Sequence, residues 1–160
     1  MMAPHTGLER RVIASLDATP SRVPVVLGGC GSGRTTLLHA LADRLGRTSC
    51  QYIDVERSAS TPERFHDAVL SSSPFIDPAA TGDSSQPTSA RDAFDRTLAF
   101  LQRARTPDGQ AATFLLDEVL ELRTFENFPG LRQVLRELVQ AIADSPNRFV
   151  CSSRYVARSH

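Results

Sequence analysis

The chain has 160 residues, enough for one domain, and its 18 basic and 18 acidic residues cancel to a formal charge of zero. That balance gives no support to a broad polyanion-binding surface, so nucleic acid is a partner the composition does not favour. The three cysteines, Cys30, Cys50 and Cys151, and the four scattered histidines form no CxxC or Cys/His cluster, which excludes a zinc module and a disulfide-stapled secreted domain. The opening MMAPHTGLERR lacks a signal-type apolar stretch, and the apolar runs fall far short of a membrane span. The expected setting is reducing and cytoplasmic, with no membrane.

In chain order, Leu8, Val12, Ile13 and Leu16 predict a short amphipathic helix, and residues 1–19 read as that helix and a linker. Residues 20–160 read as the main domain. Val25-Val26-Leu27 is a compact apolar run ending in glycine, the pattern of a buried parallel strand followed by a tight loop. Thr35 to Leu45 follows as a helix through Leu37, Leu38, Leu41 and Leu45, and Gly46 is its expected stop. Cys50 to Val55 predicts a second strand, in which Tyr52, Ile53 and Val55 supply bulk. This alternation favours a three-layer α/β domain with a parallel sheet.

Pro62 opens another helix with Phe65, Val69 and Leu70 on its apolar face. Ser71 to Ser89 holds six serines, three prolines and a glycine, and reads as an exposed, flexible insertion at about 71–90. Helical spacing returns from Ala90 to Arg105 through Phe94, Leu98 and Leu101. Ala111 to Leu116 predicts a third strand. Leu131 to Ile142 predicts a helix opened by Pro129 and Gly130, and Phe149 to Cys151 a fourth strand.

The sharpest feature is Gly28-Gly29-Cys30-Gly31-Ser32-Gly33-Arg34-Thr35. Its spacing matches a phosphate-binding P-loop with Arg34 at the usual lysine position. Gly28, Gly31 and Gly33 let successive backbone N–H groups turn inward toward phosphate oxygens, and the next helix aims its positive end at the same anion. Arg34 would bring charge to the terminal phosphates, and the Thr35 hydroxyl would meet Mg²⁺. Thr36 closes the candidate nucleotide-binding stretch, a position that also suits an ordinary early helical residue. Arginine keeps the charge but alters reach and shape. Either binding survives with slow phosphoryl transfer, or the loop has adapted to the larger head.

Thr113 to Leu116 runs into Asp117-Glu118, a carboxylate pair at the end of an apolar strand. Asp117 is a candidate metal ligand. Glu118 is a candidate catalytic residue that orients the attacking water. Ser152, Ser153 and Arg154 follow the last strand, with Ser152 a candidate sensor of the γ-phosphate; a polar strand exit explains them equally well. Glu56 and Arg57 follow the second strand and reach the same crevice by placement alone. Arg123 and Glu126 read as surface groups, and His39 as a flank residue of the first main helix.

Together these residues resemble the additional-strand class of P-loop ATPases, within it the AAA+ and STAND-like group related to origin-recognition and archaeal ATPases. In that resemblance Gly28 to Thr35 is the Walker A loop, Asp117-Glu118 the Walker B end, and Ser152-Ser153-Arg154 the sensor-1 ending. It implies a sheet order of 5-1-4-3-2, placing the fourth strand between the first and third. It also implies ATP and Mg²⁺ as ligands, and a homo-oligomer or a further lid and effector domain as partners. Only four of its five strands are found, without a lid, so the chain reads as truncated after the sensor-1 strand. The expected function is Mg²⁺-dependent ATP hydrolysis in a regulatory or DNA-associated protein. The alternatives are an ATP-binding switch or scaffold with little turnover, and a small-molecule kinase.

Overall fold

The computed structural model describes residues 25–28, 34–78 and 86–154, without the side chains of 25–28, 34–36 and 154. The helix expected at residues 8–16, and residues 29–33 of the glycine-rich loop, lie outside the described residues. Among the described residues, four parallel strands form one sheet: β1 (Val25–Gly28), β2 (Cys50–Asp54), β3 (Thr113–Asp117) and β4 (Arg148–Arg154). Their order is β1-β4-β3-β2, so the fourth strand does lie between the first and third.

The helices are α1 (Arg34–Leu45), α2 (Val55–Ser58), α3 (Pro62–Ser71), α4 (Ala90–Arg103) and α5 (Val134–Ala143), with a 3₁₀ segment over Val119–Asn127. Side chains alternate across the sheet, and the two cores follow that alternation. Leu115, Val150 and Cys50 pack with Leu37, Leu38 and Leu41 of α1 on one face. Phe114, Leu116, Phe149 and Cys151 face the other way, toward the remaining helices. All eight phenylalanines of the chain belong to this second face, seven buried and Phe128 packed against them. Phe114 is its hub, stacked on Phe149 with centroids 5.5 Å apart and met edge-on by Phe75 and Phe100. The sheet therefore has helices on both sides, which is the expected three-layer α/β fold.

Several boundaries differ from expectation, each for a local reason. Val55 starts α2 instead of ending β2, because the Asp54 carboxylate caps that helix by accepting from the Arg57 N–H at 3.1 Å. Leu70 is exposed, and Pro62, Phe65 and Val69 are the buried residues of α3. The insertion begins more ordered than its composition suggests. Phe75 is buried against Phe114, and Ile76 exchanges backbone hydrogen bonds with Arg105, which itself bridges to Ala111. Those bridges also end α4 at Arg103 and delay β3 until Thr113.

Leu131 is buried, but α5 begins only at Val134, since Gly130 takes φ +82° and turns the chain beforehand. Strand β4 extends through Ser152 and Ser153 to Arg154, because β1 pairs alongside it as far as Gly28.

Candidate functional site

The site lies at the carboxyl ends of the strands, on the face covered by α1. Leu115 pairs with Tyr52 on one side and Val150 on the other, so Tyr52, Asp117 and Ser152 share that face. On the far side of β4, Val26 pairs with Ser152 and Gly28 with Arg154. The glycine-rich sequence thus leaves the sheet two strands from Asp117, roughly 10 Å away at ordinary strand spacing.

Asp117 is 2% exposed, and both carboxylate oxygens accept from hydroxyls. Ser152 Oγ donates to Oδ1 at 2.5 Å, and Tyr52 OH donates to Oδ2 at 2.5 Å. Such O–H to carboxylate bonds are short and strong, and they offset the cost of holding a charge out of water. The acidic pair is therefore a buried, hydrogen-bonded feature rather than a solvated strand end. Ser152 is fully buried and also accepts from the Glu118 N–H at 3.0 Å, so one hydroxyl ties both acids to β4.

Glu118 stands in the left-handed region at φ 61° and ψ 49°, a conformation that costs a non-glycine residue about 1–2 kcal/mol. Its N–H is held by Ser152, and its carbonyl accepts from the Glu121 N–H at 3.0 Å. Carboxylate oxygens of Glu118, Glu56 and Glu121 come within 4.8 Å of one another, so Glu56 does reach the crevice. Arg57, Arg123 and Glu126 are exposed.

Tyr52 is the residue that sequence reasoning missed. Read as bulk for a strand, it instead supplies one of the two hydroxyls on Asp117. Burial, then the Asp117 contact, and then the charges of Asp117, Asp54 and Glu118 hold its phenol far above its ordinary ionisation range. The ring of His39, on α1, lies against it with centroids 4.2 Å apart. No spacing in the sequence signals this contact, because β2 and β3 are joined only through the sheet.

Of the proposed nucleotide-binding residues, Arg34, Thr35 and Thr36 begin α1 at the carboxyl end of β1, and Gly28 ends β1. Gly29, Cys30, Gly31, Ser32 and Gly33 lie outside the described residues. The donors gathered around Asp117 are all oxygens, a hard set that suits Mg²⁺ better than softer metals. Among the described residues, no helix is long and apolar enough to cross a membrane.

No family model and no curated protein matches the chain. Among solved structures it is similar to the ORC2 protein of Aeropyrum pernix, determined in ADPNP and ADP complexes, with a TM-score of 0.55 and 15% identity. The match covers 96% of this chain and 41% of that one, so this chain spans less than half the length of its structural neighbour. Strand order and this likeness define the fold class: a three-layer α/β P-loop NTPase fold of the additional-strand type.

Proposed function

We propose that the chain is an ATP-binding module that hydrolyses ATP with Mg²⁺, as part of a regulatory or DNA-associated protein of the AAA+ or STAND-like kind. One observation carries the reading: a buried aspartate at the end of β3, gripped by hydroxyls from β2 and β4, with β4 alone between it and the strand that leads into the glycine-rich sequence. The nucleotide complexes of the structural neighbour support it.

Asp117 and Thr35 would hold Mg²⁺, which supplies charge neutralisation on the phosphates when bound. Glu118 accepts the proton of a water as that water's oxygen bonds to the γ-phosphorus, and the electron pair of the broken bond leaves with ADP. The two acids have different surroundings, Asp117 between the Tyr52 and Ser152 hydroxyls and Glu118 near the carboxylates of Glu56 and Glu121, which suits different roles. Arg34 and the N–H groups of the glycine loop stabilise the charge that develops on the phosphates. Ser152 holds Asp117 and the Glu118 backbone in register.

Arg34 in place of lysine favours a second reading, a nucleotide-dependent switch with little turnover. Binding and turnover measured on wild type, Arg34→Lys and Glu118→Gln separate the two. Hydrolysis in wild type that Glu118→Gln abolishes without loss of ATP binding supports the ATPase. Tight binding without turnover, with a rate gained in Arg34→Lys, supports the switch. Failure of folded protein to bind any magnesium nucleotide overturns both.

A further inference from the structure

We propose that Tyr52 is a positioning residue that sets the divalent-cation affinity of Asp117 and links it to the helix behind the glycine-rich loop. The inference rests on the nucleotide-binding reading above and deepens it. Asp117 is held at both oxygens, but the two holders differ in origin. Ser152 comes from β4, the strand that also pairs with β1, whereas Tyr52 comes from β2 on the opposite side. With a hydroxyl on each oxygen the carboxylate plane is fixed, and one lone-pair direction on each oxygen is taken. A cation approaching Asp117 meets a preset orientation, and groups that orient a ligand in this way change metal affinity by about 10–100-fold when removed.

The phenol is itself held from α1. His39 lies against its ring, and α1 starts at Arg34 and Thr35. Tyr52 thus joins α1, through the ring of His39, to the Asp117 carboxylate, through its own hydroxyl. Neither contact belongs to the Ser152 arrangement, so Tyr52 supplies a second, separate control on the same carboxylate.

Tyr52→Phe keeps the ring against His39 and deletes only the hydroxyl. With ATP as probe, affinity in EDTA should match wild type, while the Mg²⁺ concentration giving half-maximal Mg·ATP binding should rise about tenfold. An unchanged or lowered Mg²⁺ requirement overturns the inference and leaves the nucleotide reading standing. Absence of Mg·ATP binding in wild type overturns both.

Discussion

Strand β4 carries a buried polar side chain near each end, and the two are wired differently. Just before its start, Asn147 is 5% exposed and serves mainly the main chain. Its Nδ2 donates to the carbonyls of Leu101 and Ala104 at 2.9 Å each, and its Oδ1 accepts from the Ala112 N–H at 3.0 Å and from Arg105 at 3.1 Å. Toward the other end, Ser152 serves a carboxylate, which is shared with a tyrosine from a third strand. Backbone partners cannot be exchanged without unfolding, whereas hydroxyls can rotate to new acceptors. One network fixes where β4 enters the sheet; the other joins side chains from three strands around one carboxylate.

Asn147→Ala should give the largest loss of stability, about 3–5 kcal/mol by urea denaturation, since it strands an N–H and two carbonyls in the interior. The nucleotide affinity of the remaining folded protein should not change. A loss below 1 kcal/mol would erase the distinction between the two ends. Ser152→Ala should cost less, about 2 kcal/mol, because it removes two hydrogen bonds from one site. Its larger effect should be on turnover per folded molecule, measured as kcat, where Asn147→Ala has none.

Alkaline pH sharpens the contrast from another side. Burial raises Cys151 from 9.0 to about 12, and burial aided by the charge of Asp43 raises Cys50 to about 11. Tyr52 is raised as well. Above pH 9 the unfolded chain loses these protons while the folded chain keeps them, so stability should fall steadily as pH rises from 9 toward 12. His66 moves the opposite way: burial, then Arg96, lowers its pKa. Its contribution should be lost as pH falls below about 6.5, and thermal melts across both ranges read the two limbs.

The smallest effect expected is chemical. With Cys50 and Cys151 buried and their thiols raised, a mild alkylating reagent at pH 7 should leave both unlabelled in the folded chain. Mass spectrometry of the peptides identifies any labelled site, and modification of Cys151 in folded protein would contradict its burial.

Much of the architecture was legible because helices and strands carry local patterns. Leu37, Leu38 and Leu41 repeat at helical spacing, and all three are buried under α1. The carboxylate pair was legible too, since charge at the end of an apolar strand contradicts simple packing. The ordered start of the insertion was hidden, because Phe75 is a lone aromatic among serines and prolines and finds Phe114 only through the tertiary fold. The 3₁₀ segment was hidden for a different reason. Val119, Leu122 and Phe125 recur every three residues, a period that also fits one face of an α-helix. Tyr52 was invisible as a site residue because register between strands decides which hydroxyl meets which acid. The glycine-rich loop is a reading of the sequence; β1 ends at Gly28 before it and α1 begins at Arg34 after it.

The handedness of the backbone at Glu118 gives the order of the two acids a meaning that composition lacks. Exchanging them, as Asp117→Glu with Glu118→Asp, would leave length, charge and amino-acid content untouched. The shorter acid would sit more comfortably in the left-handed turn. The longer one would press into a slot where both hydroxyl contacts are already at 2.5 Å. A chain with the same inventory would thus trade a relaxed turn for a displaced carboxylate, so the neutral balance of 18 against 18 conceals a site in which sequence order carries the chemistry.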